Sequence, residues 1–64
     1  MDEEEFYYHF CNVMRRNGNV KLKHISNIAG ISEAEARKYL NALLEKKKIK
    51  KVGKSRASAY VFGD

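Results

Sequence analysis

Apolar residues recur in two rhythms along this chain: every three or four positions as far as Leu44, then in short alternating runs. At 100° per residue, Phe6, Phe10, Val13 and Met14 share an arc of roughly 160°, with Tyr7 and Cys11 at its edge. Glu5, Tyr8, His9, Asn12, Arg15 and Arg16 fall outside that arc, so residues 2 to about 17 are expected to form a helix that closes a core. Its acids lie in the first turn and its arginines in the last, as a helix dipole favours. Asn17-Gly18-Asn19 should stop it. Val20-Lys21-Leu22 alternates and predicts a short edge strand. A short helix over 23–29 is expected to bury Ile25 and Ile28 and to end at Gly30, which suits a left-handed residue.

Ser32 followed by Glu35 forms a Ser-x-x-Glu capping box, which opens a longer helix predicted to run to about Lys47. Ala36, Tyr39, Leu40, Leu43 and Leu44 fall on one side of it; Ala34, Arg37, Lys38, Asn41 and Glu45 fall on the other. Ile49-Lys50-Lys51-Val52 and Ala59-Tyr60-Val61-Phe62 read as two strands of a β-hairpin. Its loop holds Gly53-Lys54-Ser55-Arg56 and extends through Ala57-Ser58 in the longer register. Gly63-Asp64 is expected to fray. The chain has no proline, repeat or linker-like stretch, so one domain over 1–64 is expected.

Composition narrows the class. Sixty-four residues lie near the lower limit for folding without a staple, and the single Cys11 excludes an internal disulfide. A lone cysteine also suits a reducing interior. No apolar run approaches the ~18 residues that span a bilayer, and the acidic start is the reverse of a secretion signal. A soluble cytoplasmic protein, in the nucleoid or a host-cell cytoplasm, is expected.

The net charge of +5 conceals an asymmetry. Residues 1–5 carry four of the eight acids and no base, leaving four acids against thirteen bases. Seven of those bases, and no acid, lie between Lys46 and Arg56. Such a block points to a polyanionic partner, although a lysine-rich solvated surface is the ordinary alternative.

Two helices joined by a short glycine turn make a helix-turn-helix, whose second helix often enters the DNA major groove. The stretch Ile25-Ser26-Asn27-Ile28-Ala29-Gly30-Ile31-Ser32, and Leu40-x-x-Leu43 followed by basic residues and Ile49, resemble the winged helix-turn-helix DNA-binding domains of bacterial, archaeal and phage regulators. The resemblance covers Phe6 to Phe62. It implies an α+β fold of three helices, a short strand and a C-terminal hairpin wing, in the order helix, strand, helix, helix, strand, strand. The chain departs from the family pattern twice. Ser26 stands where Ala is usual, and Lys47 or Lys48 stands where a glycine normally ends the recognition helix, which implies a blunter helix end. Winged helices that bind Z-form nucleic acid are similar in outline, but their motif sets an Asn and a Tyr four apart on the recognition helix and Pro-x-Trp in the wing. Here those helix positions are Arg37 and Asn41, and the chain has neither proline nor tryptophan.

Within that frame the binding candidates on the recognition helix, 32–47, are Ser32, Ala34, Arg37, Lys38 and Asn41. Arg can pair bidentately with guanine and Asn with adenine, and a small Ala34 would let the helix start sit deep or touch a thymine methyl. Glu45 opposes phosphate, so entry by the N-terminal half is expected. In the wing, 49–62, Lys50, Lys51, Lys54, Ser55 and Arg56 are candidates for the phosphate backbone or an adjacent minor groove, joined by Lys21 and Lys23. His24, beside Lys21 and Lys23, is a further phosphate candidate and reads as a surface histidine rather than a switch. Tyr8 and His9 mark a possible homodimer surface on the first helix.

Catalysis has little support. Gly53-Lys54-Ser55 matches the end of a phosphate-binding loop, but Lys48 occupies the position of its first glycine and a strand follows instead of a helix. His9 and Cys11 point about 200° apart and cannot grip one metal. The expectation is a protein with no catalytic residues, metal, cofactor or small-molecule substrate that binds double-stranded DNA, as a transcriptional regulator. The rivals are a protein-interaction module working through the acidic, aromatic first helix and an RNA-binding winged helix, since basic residues answer to either kind of phosphate.

Overall fold

Helix α1 (Glu3–Asn17) begins where Asp2 accepts a hydrogen bond from the Glu5 amide at 2.8 Å, and it ends at Gly18, whose φ of 78° turns the chain out of the helix. The computed structural model describes residues 1–53 and 58–63. As the periodicity requires, Phe6, Phe10 and Val13 are buried. Helix α2 (Leu22–Ala29) starts one residue earlier than expected and ends at left-handed Gly30. Helix α3 (Glu33–Glu45) begins at Ser32, whose hydroxyl accepts from the Glu35 amide at 3.1 Å. Strands β1 (Ile49–Val52) and β2 (Ala59–Phe62) form the antiparallel hairpin, with Ile49 opposite Phe62 and Val52 opposite Ala59.

The short strand expected at 20–22 contracts to one bridge. Val20 donates to the Tyr60 carbonyl at 2.8 Å and Tyr60 donates back at 2.7 Å. Lys21 is already the cap residue of α2 and Leu22 its first residue, so no further pairing is available. Among the described residues, the sheet therefore has two strands rather than three. The single bridge still ties the start of α2 to the middle of β2.

One core serves all five elements: Phe6, Phe10 and Val13 from α1, Val20, Ile25 from α2, Ala36, Leu40 and Leu43 from α3, Ile49 and Tyr60 from the hairpin. Phe6 stacks on Tyr39 with centroids 5.0 Å apart, which locks α1 to α3. The Tyr39 hydroxyl also donates to the Met1 carbonyl, and Lys46 forms an ion pair with Glu3, so the middle and the C-terminal end of α3 grip the start of the chain. Ser26 is buried without strain because its hydroxyl donates to the Lys23 carbonyl at 2.9 Å; this satisfied hydrogen bond explains why serine is tolerated at a position where alanine is common. Ile28 is not buried. It is 45 % exposed, because α2 buries the arc of Leu22, Ile25, Ser26 and Ala29, and Ile28 lies about 110° from the middle of that arc.

The end of α3 corrects a second expectation. The helix stops at Glu45 and not near Lys47, and it stops sharply. Lys47 itself takes the left-handed conformation, φ 61°. Its amide donates to the Leu44 carbonyl, and the Lys48 amide donates to the Leu43 carbonyl, both at 3.0 Å, which closes the last turn in the Schellman pattern. A left-handed L-residue costs about 1–2 kcal/mol, and glycine returns part of that gain as unfolded-chain entropy. Lys47→Gly is therefore expected to stabilise the fold by roughly 0.5–1 kcal/mol, raising the thermal midpoint by a few degrees. A midpoint that stays put or falls in a calorimetric scan would show that Lys47 holds no strain.

Gly63 is not frayed. Its amide donates to the Lys48 carbonyl at 2.8 Å, extending the hairpin by one hydrogen bond. A Cβ there would lie 2.3 Å from the Lys47 carbonyl oxygen and 3.1 Å from two backbone carbons. Neither neighbour is a flexible side chain that could swing away. Gly63→Ala is expected to lower stability by about 1–2 kcal/mol in urea unfolding, because the hairpin end must separate from the α3–β1 turn. Asp64, expected to fray with it, lies outside the described residues, and no described helix is long and apolar enough to cross a membrane.

Candidate nucleic-acid interface

Helix α3 offers one face to the core and the other to solvent. Ala36, Leu40 and Leu43 are buried; Ser32, Ala34, Arg37, Lys38, Asn41 and Glu45 are all exposed. The capping serine fixes where the helix starts, and the buried triplet fixes its rotation, so Arg37 and Asn41 stand one turn apart on the outward side. Lys38, Asn41, Ala42, Leu44 and Glu45 line a shallow hollow of about 680 Å³ along the helix. Glu33 and Glu35, also exposed, flank this face in the first turn. They favour the helix dipole there, but they oppose phosphate just as Glu45 does. The cationic part of the face is consequently the middle of α3, Arg37 to Asn41, rather than its whole N-terminal half.

The second group of candidates is split by the structure. Lys21 and Lys23 share a hollow of about 520 Å³ with His24, Asn27 and Ile28 on α2. Asn27 and Ile28 were not among the expected site residues. The eight-residue rhythm of α2 held the signal for Ile28, since it does not fit the arc set by Ile25 and Ser26. Lys50 and Lys51 are exposed neighbours on β1, opposite Val61 and Tyr60, so their side chains project to opposite faces of the hairpin. They cannot both lie along one row of phosphates. Lys54, Ser55 and Arg56 lie outside the described residues.

Other bases of the 46–56 block are engaged within the fold. Lys46 pairs with Glu3, and the Lys48 ammonium sits over the Tyr7 ring, 5.2 Å from its centroid. Lys47 shapes the backbone. Burial raises the Tyr7 phenol above its ordinary value of 10.0, and the Cys11 thiol pushes it the same way through charge and a hydrogen bond. Tyr8 is 64 % exposed and meets His9 edge-on at 6.1 Å, on the outer side of α1.

Three helices, a helix-turn-helix with an outward-facing second helix and a hairpin packed behind it define a winged helix. The chain belongs to the FaeA-like protein family, whose profile matches residues 3–60. No curated protein sequence matches it. Among solved structures it is similar to the crystal structure of the apo Zalpha domain of zebrafish PKZ, with a TM-score of 0.79, 17% identity and 97% of each chain covered. It is also similar to the DIP2311 protein from Corynebacterium diphtheriae, with a TM-score of 0.84 and 18% identity. That second match covers 95% of this chain and 11% of the other. At these identities the likeness is one of fold.

Proposed function

We propose that this chain is a winged-helix module that binds double-stranded DNA and acts as a cytoplasmic transcriptional regulator, without catalysis. The observation that carries the proposal is the exposed middle of α3, where Arg37, Lys38 and Asn41 stand together on a helix whose opposite side is fixed in the core. Arg37 and Asn41 have the donors for bidentate contacts to guanine and adenine in the major groove. Ser32 and Ala34 would lie nearest the groove floor at the helix start, with Glu33 and Glu35 turned to its rims. Lys50 or Lys51, with Lys54, Ser55 and Arg56, would meet the backbone from the wing, and Lys21 and Lys23 from the start of α2. Two copies joined through α1 near Tyr8 and His9 would bring two such helices to one duplex. The Zalpha-like outline does not carry a Z-form motif with it, since Arg37 and Asn41 replace the Asn and Tyr of that motif.

The test is fluorescence anisotropy of a labelled duplex across a salt series, with single-stranded DNA and RNA as competitors. Neutralising about six phosphates predicts a slope of log K against log salt near −5. Duplex preference with that slope supports the proposal. Absence of binding at about 50 mM salt rejects it.

A further inference from the structure

Helix α1 carries its exposed charge in two patches of opposite sign. Glu4 and Glu5 lie near its start, Arg15 and Arg16 near its end, and all four are exposed. Between them stand exposed Tyr8 and partly buried Asn12, whose Oδ1 accepts a hydrogen bond from Arg15 at 3.3 Å. Among the described residues the ion pair that forms joins Lys46 to Glu3, so these four charges have no ion-pair partner within the described fold. At 100° per residue, Glu4 and Arg15 lie about 20° apart on one flank of the Tyr8–Asn12 line, and Glu5 and Arg16 lie about 20° apart on the other.

That arrangement is self-complementary in one direction. A two-fold axis that runs two copies of α1 antiparallel keeps each flank against the same flank of its copy. With the axis level with residue 10, Tyr8 of one helix meets Asn12 of the other. Glu4 then faces Arg15 and Glu5 faces Arg16, each within about one residue rise, ~1.5 Å, of level. A parallel two-fold pair would bring opposite flanks together and set Glu4 against Glu5 and Arg15 against Arg16, like charge against like. We propose that the chain self-associates as an antiparallel homodimer through α1, with Glu4–Arg15 and Glu5–Arg16 pairs formed twice around a central Tyr8–Asn12 contact. The inference rests on self-association through the Tyr8 face and fixes its register. One helix face is smaller than a standard stable interface, so the dimer is weak and salt-sensitive.

Sedimentation velocity on the whole chain, from about 10 μM to 1 mM at low and high salt, tests it. The wild type is expected to dimerise reversibly and to dissociate as salt rises. The Glu4→Arg, Glu5→Arg variant and the Arg15→Glu, Arg16→Glu variant should each associate at least roughly tenfold more weakly, since four attractions become four repulsions. Circular dichroism verifies that both remain helical. An equimolar mixture of the two variants should restore a heterodimer, because one helix face is then wholly basic and the other wholly acidic. A wild type that stays monomeric at the highest concentration overturns self-association itself. A wild-type dimer that both variants retain, or that their mixture fails to restore, overturns this register.

Discussion

Phe10→Ala should leave most of the chain unfolded at 25 °C. Phe10 is fully buried, and its ring meets both Tyr7, at 6.2 Å, and Phe62, at 6.0 Å. Truncating such a ring typically costs about 3–5 kcal/mol, the lost transfer energy plus a cavity the neighbours cannot fill. A chain of this length has a total stability on the order of 3–10 kcal/mol. The lower part of that range applies here, because the fold has no disulfide or metal to support it. The effect should spread beyond α1, because Phe62 at the end of β2 loses the surface it leans on and the hairpin loosens. Far-UV circular dichroism during heating reads the result. Tyr8→Ala is the control: its side chain is mostly exposed, and the midpoint should move by no more than about 0.5 kcal/mol equivalent. Equal midpoints for the two variants would mean that α1 does not supply the core.

The contrast between Phe10 and Tyr8 was legible in the sequence, because both sit on a fifteen-residue helix long enough for its period to identify the buried face. The same holds for Ala36, Leu40 and Leu43 on α3, and Ser32 announced its own cap. Short elements were harder. Ile28 passed as a core residue beside Ile25 because a helix of just over two turns constrains the phase only loosely, although its rhythm does set Ile28 off the buried arc. Val20 alternated like a strand, yet its single partner, Tyr60, lies forty residues away, and only tertiary packing decides that the pairing ends after one bridge. Lys47 was expected to blunt α3 because lysine carries no preference for positive φ. The turn forces that conformation on it through the Leu43 and Leu44 carbonyls and the return of Gly63. The basic block showed its charge but not its division of labour. The contacts of Lys46 with Glu3 and Lys48 with Tyr7 cross more than forty residues of sequence, and no local pattern encodes them.

That division of labour leads to the second large effect, on binding. Arg37→Ala should weaken binding to a duplex selected from a random-sequence pool by about 1–3 kcal/mol, roughly 5- to 150-fold, while binding to random duplex falls far less. The reason is positional: Arg37 sits mid-face on α3, where a guanidinium can reach a base edge, and its removal leaves the Ser32 cap and the buried face intact. Asn41→Ala should act similarly, at a different base pair of the site. Lys51→Ala should behave otherwise, lowering affinity for selected and random duplexes alike and reducing the salt slope by about 1, as one lost phosphate contact requires. Measured side by side, the three variants separate base reading from charge. If Arg37→Ala weakened both duplexes equally and also flattened the salt slope, α3 would be only a further phosphate contact. Sequence preference, if any, would then have to come from the wing or from the shape of the DNA.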